Sequence, residues 1–193
     1  MKKVGVLSLQ GDFAAHGAAL QRAGAEPVYV REREQLDRIA GLIIPGGEST
    51  TMLKLLRYEG LYDAIREFGR TRPMFGTCAG AILMAKEVSH PAQESFGLMD
   101  IAIERNAYGR QIDSSIREAE TKLGHKPLEM VFIRAPKIVG TGKGVEVLAA
   151  AGGDPVLVRQ GKMLAATFHP ELSEDTRVHQ EFVKMVKNGH RRK

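Results

Sequence analysis

The chain has 193 residues, 43% of them hydrophobic and 26% charged, a composition that builds a full core without disulfide or metal staples. A net charge of +5 raises nucleic acid as a partner, but aromatics are 6%, tryptophan is absent, and basic residues are scattered among acidic ones. With no stacking platform and no basic stripe beyond the tail His190-Arg191-Arg192-Lys193, nucleic-acid binding is not expected.

The chain starts Met1-Lys2-Lys3, and the apolar run Val4 to Leu9 is too short for a signal core or a membrane span. Lys3–Leu9 reads as a strand, Phe13–Ala23 has helical spacing, and Pro27–Arg31 is β-like again. Gly41–Pro45 is a short apolar run ending at Gly46-Gly47, followed by helical stretches over Ser49–Arg57 and Leu61–Gly69. Pro73–Thr77 is apolar, and Ala79–Lys86 looks helical. Strands alternating with helices predict βαβ units on a parallel sheet.

The second half is richer in β signals, at Gly97–Glu104, Met130–Arg134, Val145–Ala150, Val156–Arg159 and Met163–Phe168. The polar stretch Gly109–Pro127 reads as loop and a short helix, and Gly140–Gly144 as a flexible turn. A last helix is expected over Ser173–Lys187, with Val178, Phe182, Val183 and Val186 on one face. Glu174 and Asp175 would sit in its first turn, and His179 reads as a polar position on it. No repeat, linker or boundary interrupts residues 1–193, so one α/β domain is expected, with a mostly parallel central sheet flanked by helices.

Cys78 is the one cysteine, which excludes an internal disulfide and favours a reducing, cytoplasmic setting. A lone cysteine fits a buried structural role well. Its flanks point elsewhere: Gly76-Thr77-Cys78-Ala79-Gly80 joins a strand to a helix in the nucleophile-elbow pattern, where small residues allow the sharp reversal. A helix N-terminus there favours a thiolate and the anions formed from it.

A cysteine nucleophile needs a base, and His169-Pro170-Glu171 follows the apolar run Leu164–Phe168. In an extended chain residues two apart share a side, so Glu171 could orient His169 towards Cys78. Taken alone, the same residues fit a surface His–Glu turn. His16, His90, His125, His179 and His190 show no metal-ligand spacing, so no metal is expected. Pro45-Gly46-Gly47-Glu48-Ser49-Thr50-Thr51 ends another strand, and its glycines either bring backbone N–H groups to a ligand or form a plain turn. It lacks the ending of a phosphate-binding loop.

Together these segments resemble the class I glutamine amidotransferases, with their flavodoxin-like fold. More narrowly, the chain resembles the family of glutaminase subunits of pyridoxal 5'-phosphate synthase. The likeness spans nearly the whole length, through Val6–Asp12, Pro45–Thr51, Gly76–Gly80, Glu104–Gln111, Val131–Pro136 and Phe168–Glu171. The resemblance implies a triad of Cys78, His169 and Glu171 that hydrolyses L-glutamine through a thioester without a cofactor. It implies an oxyanion hole from Gly47 and Ala79, and a substrate pocket of Gly46, Gly47, Glu48, Arg105, Ile133 and Arg134. It also implies a hetero-oligomer in which the ammonia passes to the synthase subunit, whose docking completes the oxyanion hole. A glutaminase fills all 193 residues, leaving no ammonia-consuming domain, in keeping with such a partner. Two rivals stay open: another amidotransferase subunit, such as that feeding imidazole glycerol phosphate synthesis, and a non-catalytic relative on the same fold.

Overall fold

A computed structural model describes residues 1–107 and 114–189. Tyr108–Gln111 of the arginine-containing segment, the first residues of the Gly109–Pro127 stretch, and the basic tail from His190 lie outside the described residues.

The first half alternates as expected: β1 (Lys3–Leu7), α1 (Phe13–Arg22), β2 (Glu26–Val30), a 3₁₀ turn over Arg33–Arg38, and β3 (Leu42–Ile44). Then follow α2 (Ser49–Tyr58), α3 (Tyr62–Thr71), β4 (Met74–Thr77) and α4 (Ala79–Met84). The second half runs β5 (Ala85–Ser89), β6 (Met99–Glu104), β7 (Ser114–Ala119), β8 (Leu128–Ile133) and β9 (Lys137–Thr141). It closes with β10 (Glu146–Ala151), β11 (Asp154–Gln160), β12 (Met163–Ala166), a 3₁₀ turn Pro170–Leu172 and α5 (Arg177–Asn188).

Seven strands form the central sheet in the order β10-β11-β12-β4-β3-β1-β2. From β12 to β2 every pairing is parallel, and the antiparallel β11 and β10 extend one edge. Successive strand residues feed opposite faces. Met74, Met163, Ala165, Leu42 and Ile44 pack with Met52, Leu56, Ile65 and Phe68 of α2 and α3. Phe75, Leu164, Ala166, Ile43, Val4 and Val6 pack with Leu20 of α1 and with Val178, Phe182, Val183 and Val186 of α5. Burial of each such large side chain is worth about 1.5–3 kcal/mol, which holds a helix layer on each face. Among the described residues, no helix is long and apolar enough to cross a membrane.

Four local expectations need correction. The helix expected over Ala79–Lys86 stops at Met84, because Ala85 turns extended and pairs with Met99 in a second sheet of order β5-β6-β9. Part of the stretch expected as loop and short helix is β7, paired antiparallel with β8. The expected turn at Gly140 begins inside β9. The last helix opens at Arg177, so Glu174 and Asp175 precede it. Ser173 Oγ accepts from the Asp175 N–H at 3.1 Å, and Asp175 accepts from the Arg177 N–H at 3.0 Å, a side-chain turn that delays the helix.

Candidate active site

The loops that follow β1, β3, β4 and β12 meet at the carboxyl ends of the parallel strands, where open α/β sheets place ligands. Cys78 links β4 to α4 with φ 48° and ψ −106°, left-handed strain that only a well-braced turn sustains. Its N–H donates to Ala166 O at 2.9 Å, tying the elbow to the end of β12. A Cβ on Gly76 would lie 2.5 Å from the Gly80 carbonyl, and one on Gly80 would lie 2.0 Å from Ile44 O. Both glycines are therefore steric requirements of the turn. Cys78 is buried apart from 7% of its surface.

His169 follows β12, and its N–H donates to Val131 O at 2.8 Å. Its side chain faces Cys78 on one side, close enough for the two groups to interact electrostatically, and Nδ1 meets Glu171 Oε1 at 2.8 Å on the other. The expected trio is thus brought together, though by a different backbone route. Pro170–Leu172 is a 3₁₀ turn with His169 as its cap, so curvature, and not an extended strand, swings Glu171 under the ring. Burial alone would push the His169 pKa down. Hydrogen bonds to Cys78 and Glu171, with the charges on both, override it and raise the pKa to about 10.

Gly46 lies against both Cys78 and His169, since a Cβ there would be 2.4 Å from His169 Cε1 and 3.3 Å from Cys78 Cβ. Gly47 has φ 140°, open to glycine. Ala79 opens α4, where no helix carbonyl satisfies its N–H. Glu48 caps α2, accepting from Thr50 N (3.0 Å), Thr51 N (2.8 Å) and Thr51 Oγ1 (2.8 Å). Its burial opposes ionisation, but the Thr50 and Thr51 hydrogen bonds prevail and lower the pKa to about 2. Arg105 joins this loop through Thr50 Oγ1 at 2.8 Å and Glu48 at 3.4 Å. Ile133 and Arg134 are exposed at the end of β8, two and three residues beyond the carbonyl that holds His169. Arg134 has φ 45°, a second strained residue at this edge.

Several residues around the site escaped sequence reasoning. The Gln10 amide lies against the Glu48 peptide, and turned so that donors meet acceptors it donates to Glu48 O at 3.1 Å and accepts from Glu48 N at 3.2 Å. Gly11, at φ 83°, lets that loop approach, because a Cβ would sit 1.8 Å from Gly46 O. His16 on α1 and His179 on α5 are both fully buried, so the position read as polar on the last helix belongs to its inward face. His16 Nδ1 meets His179 Nε2 at 3.0 Å, and His16 Nε2 meets Thr77 Oγ1 at 3.1 Å. His179 stands three and four residues before Phe182 and Val183, so helical spacing already put it on the buried face. Among the described residues, no cluster of three or more His, Cys, Asp or Glu could hold a metal.

A sequence profile described as the SNO glutamine amidotransferase family matches residues 6–188. Over 189 residues the chain is 68% identical to a Solibacter usitatus protein named pyridoxal 5'-phosphate synthase subunit PdxT, covering 95% of this chain and 98% of that one. A protein of the same name from Koribacter versatilis is 60% identical over 187 residues, with 97% of each chain covered. A crystal structure described as a glutamine amidotransferase superposes with a TM-score of 0.88 at 49% identity, covering 95% of this chain and 98% of the other. The expected architecture is borne out by that superposition.

Proposed function

The chain belongs to the SNO glutamine amidotransferase family, and from that premise we propose that residues 1–193 form one glutaminase domain working through a thioester on Cys78. It hydrolyses L-glutamine to L-glutamate and ammonia, and the ammonia passes to a pyridoxal 5'-phosphate synthase subunit within a hetero-oligomer. The observation that carries this reading is the His169 ring set between Cys78, on a strained elbow, and the Glu171 carboxylate that its Nδ1 meets at 2.8 Å.

Cys78 Sγ attacks the side-chain amide carbon of glutamine, and the carbonyl oxygen becomes an oxyanion held by the Gly47 and Ala79 N–H groups. His169, kept protonated by its two partners, gives its proton to the amide nitrogen, the C–N bond breaks and ammonia leaves. A water then attacks the thioester carbon while His169 takes its proton, releasing glutamate and restoring Cys78. Glu171 holds the ring in register throughout and stabilises its charge. Gly46, Gly47, Glu48, Arg105, Ile133 and Arg134 make the pocket for glutamine, whose ammonium and carboxylate call for both charge signs. The synthase assignment is supported by the names of the two relatives, and a cytoplasmic setting by the free thiol.

The test is Cys78→Ala mixed with the synthase subunit. The variant should form no glutamate and no product from glutamine, while an ammonium salt restores product. A glutamine-like electrophile should add its mass to the Cys78 peptide of the wild type. Normal turnover by the alanine variant, or labelling elsewhere, would overturn the thioester. Stimulation only by a different synthase would overturn the partner.

A further inference from the structure

Glu171 uses one carboxylate oxygen to hold His169, and its other oxygen faces the interior. That oxygen, Oε2, is buried without a well-aligned hydrogen bond. His16 Nε2 lies 3.3 Å from it, with both side chains fully buried. The same nitrogen is 3.1 Å from Thr77 Oγ1, on the residue preceding the nucleophile. A carboxylate in this interior without a donor is costly, so the protonation of His16 matters to the site.

Two arrangements of protons fit the pair of histidines. In one, His16 carries its proton on Nδ1 and donates to His179 Nε2. Its bare Nε2 lone pair would then face the Glu171 carboxylate at 3.3 Å, and the His179 Nδ1–H would be a buried donor with no acceptor. In the other, His179 donates from Nε2 to His16 Nδ1, and the His16 Nε2–H is shared between Thr77 Oγ1 and Glu171 Oε2. Only the bare His179 Nδ1 then lacks a partner, a smaller cost.

We propose that His16 is a positioning residue of the glutaminase, a neutral Nε2–H donor to the Glu171 oxygen that His169 leaves free, with His179 fixing that tautomer from α5. The proposal rests on the Cys78–His169–Glu171 reading and extends it by two side chains from the helices on one face of the sheet. Doubly held, Glu171 cannot rotate away from His169, and the ring stays aimed at Cys78. The groups facing His16 are Glu171 and His169 beyond β12, Thr77 and the Phe75 ring on β4, and His179 on α5. Burial first, then His179 and His169, lower the His16 pKa well below 6.5. Burial first, then Arg22 of α1, lower that of His179 to about 3. Both rings are therefore neutral at working pH, as the donor chain requires.

Nitrogen NMR of histidine-labelled wild-type protein reads the tautomers without any substitution. His16 and His179 should both carry the proton on Nε2, and a proton on His16 Nδ1 would overturn the proposal. In the complex with the synthase subunit, His16→Leu should lower kcat for glutamine hydrolysis by about 10²-fold with KM unchanged. It should also lower the pH at which His169 deprotonates by about one unit, because the ring loses a firmly placed counter-charge. His16→Gln keeps an N–H that reaches Glu171 and should recover most of both. A leucine variant with unaltered kcat, or with reduced kcat but unmoved His169 titration, would reduce His16 to packing and defeat the proposal. The triad fails separately: an active Cys78→Ala would sink it, whatever tautomer His16 shows.

Discussion

Gly46 occupies the space in which the Cys78 and His169 side chains meet. Its φ is not in the left-handed region, so a side chain there would meet a steric obstacle and no backbone strain. The obstacle is His169 Cε1, 2.4 Å from where a Cβ would be. Gly46→Ala should therefore displace the ring and lower kcat by about 10²-fold, a misplacement effect, with little loss of stability. Gly140→Ala, whose added carbon meets only Ala102 Cβ at 3.4 Å, is the matched control and should leave kcat unchanged. Equal activity in the two variants would show that Gly46 does not set the position of His169. At this scale the sequence was informative wherever chemistry imposes spacing, as at Gly76-Thr77-Cys78-Ala79-Gly80 and His169-Pro170-Glu171. It was silent on His16, which lies 61 residues from Thr77 and 163 from His179, a proximity that no local pattern records.

Helix α2 shows how one element joins stability to the site. Glu48 caps it with its carboxylate while its peptide is clamped by Gln10, so the loop bearing Gly46 and Gly47 is pinned at its far end. Glu48→Ala should lower unfolding stability by about 1 kcal/mol at neutral pH, measured by urea titration. The carboxylate has a lowered pKa, so this contribution is present above about 4.5 and fades as pH falls towards 2. A variant as stable as wild type at pH 7 would remove the cap from the account. The elements that were legible in advance are the buried parallel strands and the longer amphipathic helices, where apolar runs and helical spacing are unambiguous. Those that were not are short or polar. β5 continues directly from a buried helix, β7 carries one large apolar residue among Ser114–Ala119, and the turn that delivers Glu171 spans only Pro170–Leu172. For β5 and β7 the pairing with β6 and β8 decides the conformation against propensity, while the short turn closes through its own bond from Leu172 N–H to His169 O.

For the molecule as a whole, three buried histidines shape stability against pH in opposite senses. His16 and His179 have lowered pKa values, so the unfolded chain binds more protons and stability falls as pH drops below 6.5, towards about 3 for His179. His169 has a raised pKa, and its contribution is present below 6.5 and lost as pH climbs through about 10. Each group that is fully neutral in the fold and charged on unfolding gives a slope of about 1.4 kcal/mol per pH unit. The urea midpoint should therefore fall between pH 6.5 and 4.5, above the range where most carboxylates titrate, and His179→Gln should flatten that fall. An unchanged slope in the variant would mean that His179 is not held neutral. The placement of β12 next to β4 has a consequence for the living cell. The strand that leads to His169 begins 86 residues after the end of the strand that leads to Cys78 (163 − 77), and β4 pairs with it along its whole length. On the ribosome, an emerging chain carries Cys78 long before His169, with β4 as a bare sheet edge. Insertion of β12 covers that edge and carries His169 to Cys78 in one event, so on the proposed reading a chain that stops before β12 should hydrolyse no glutamine.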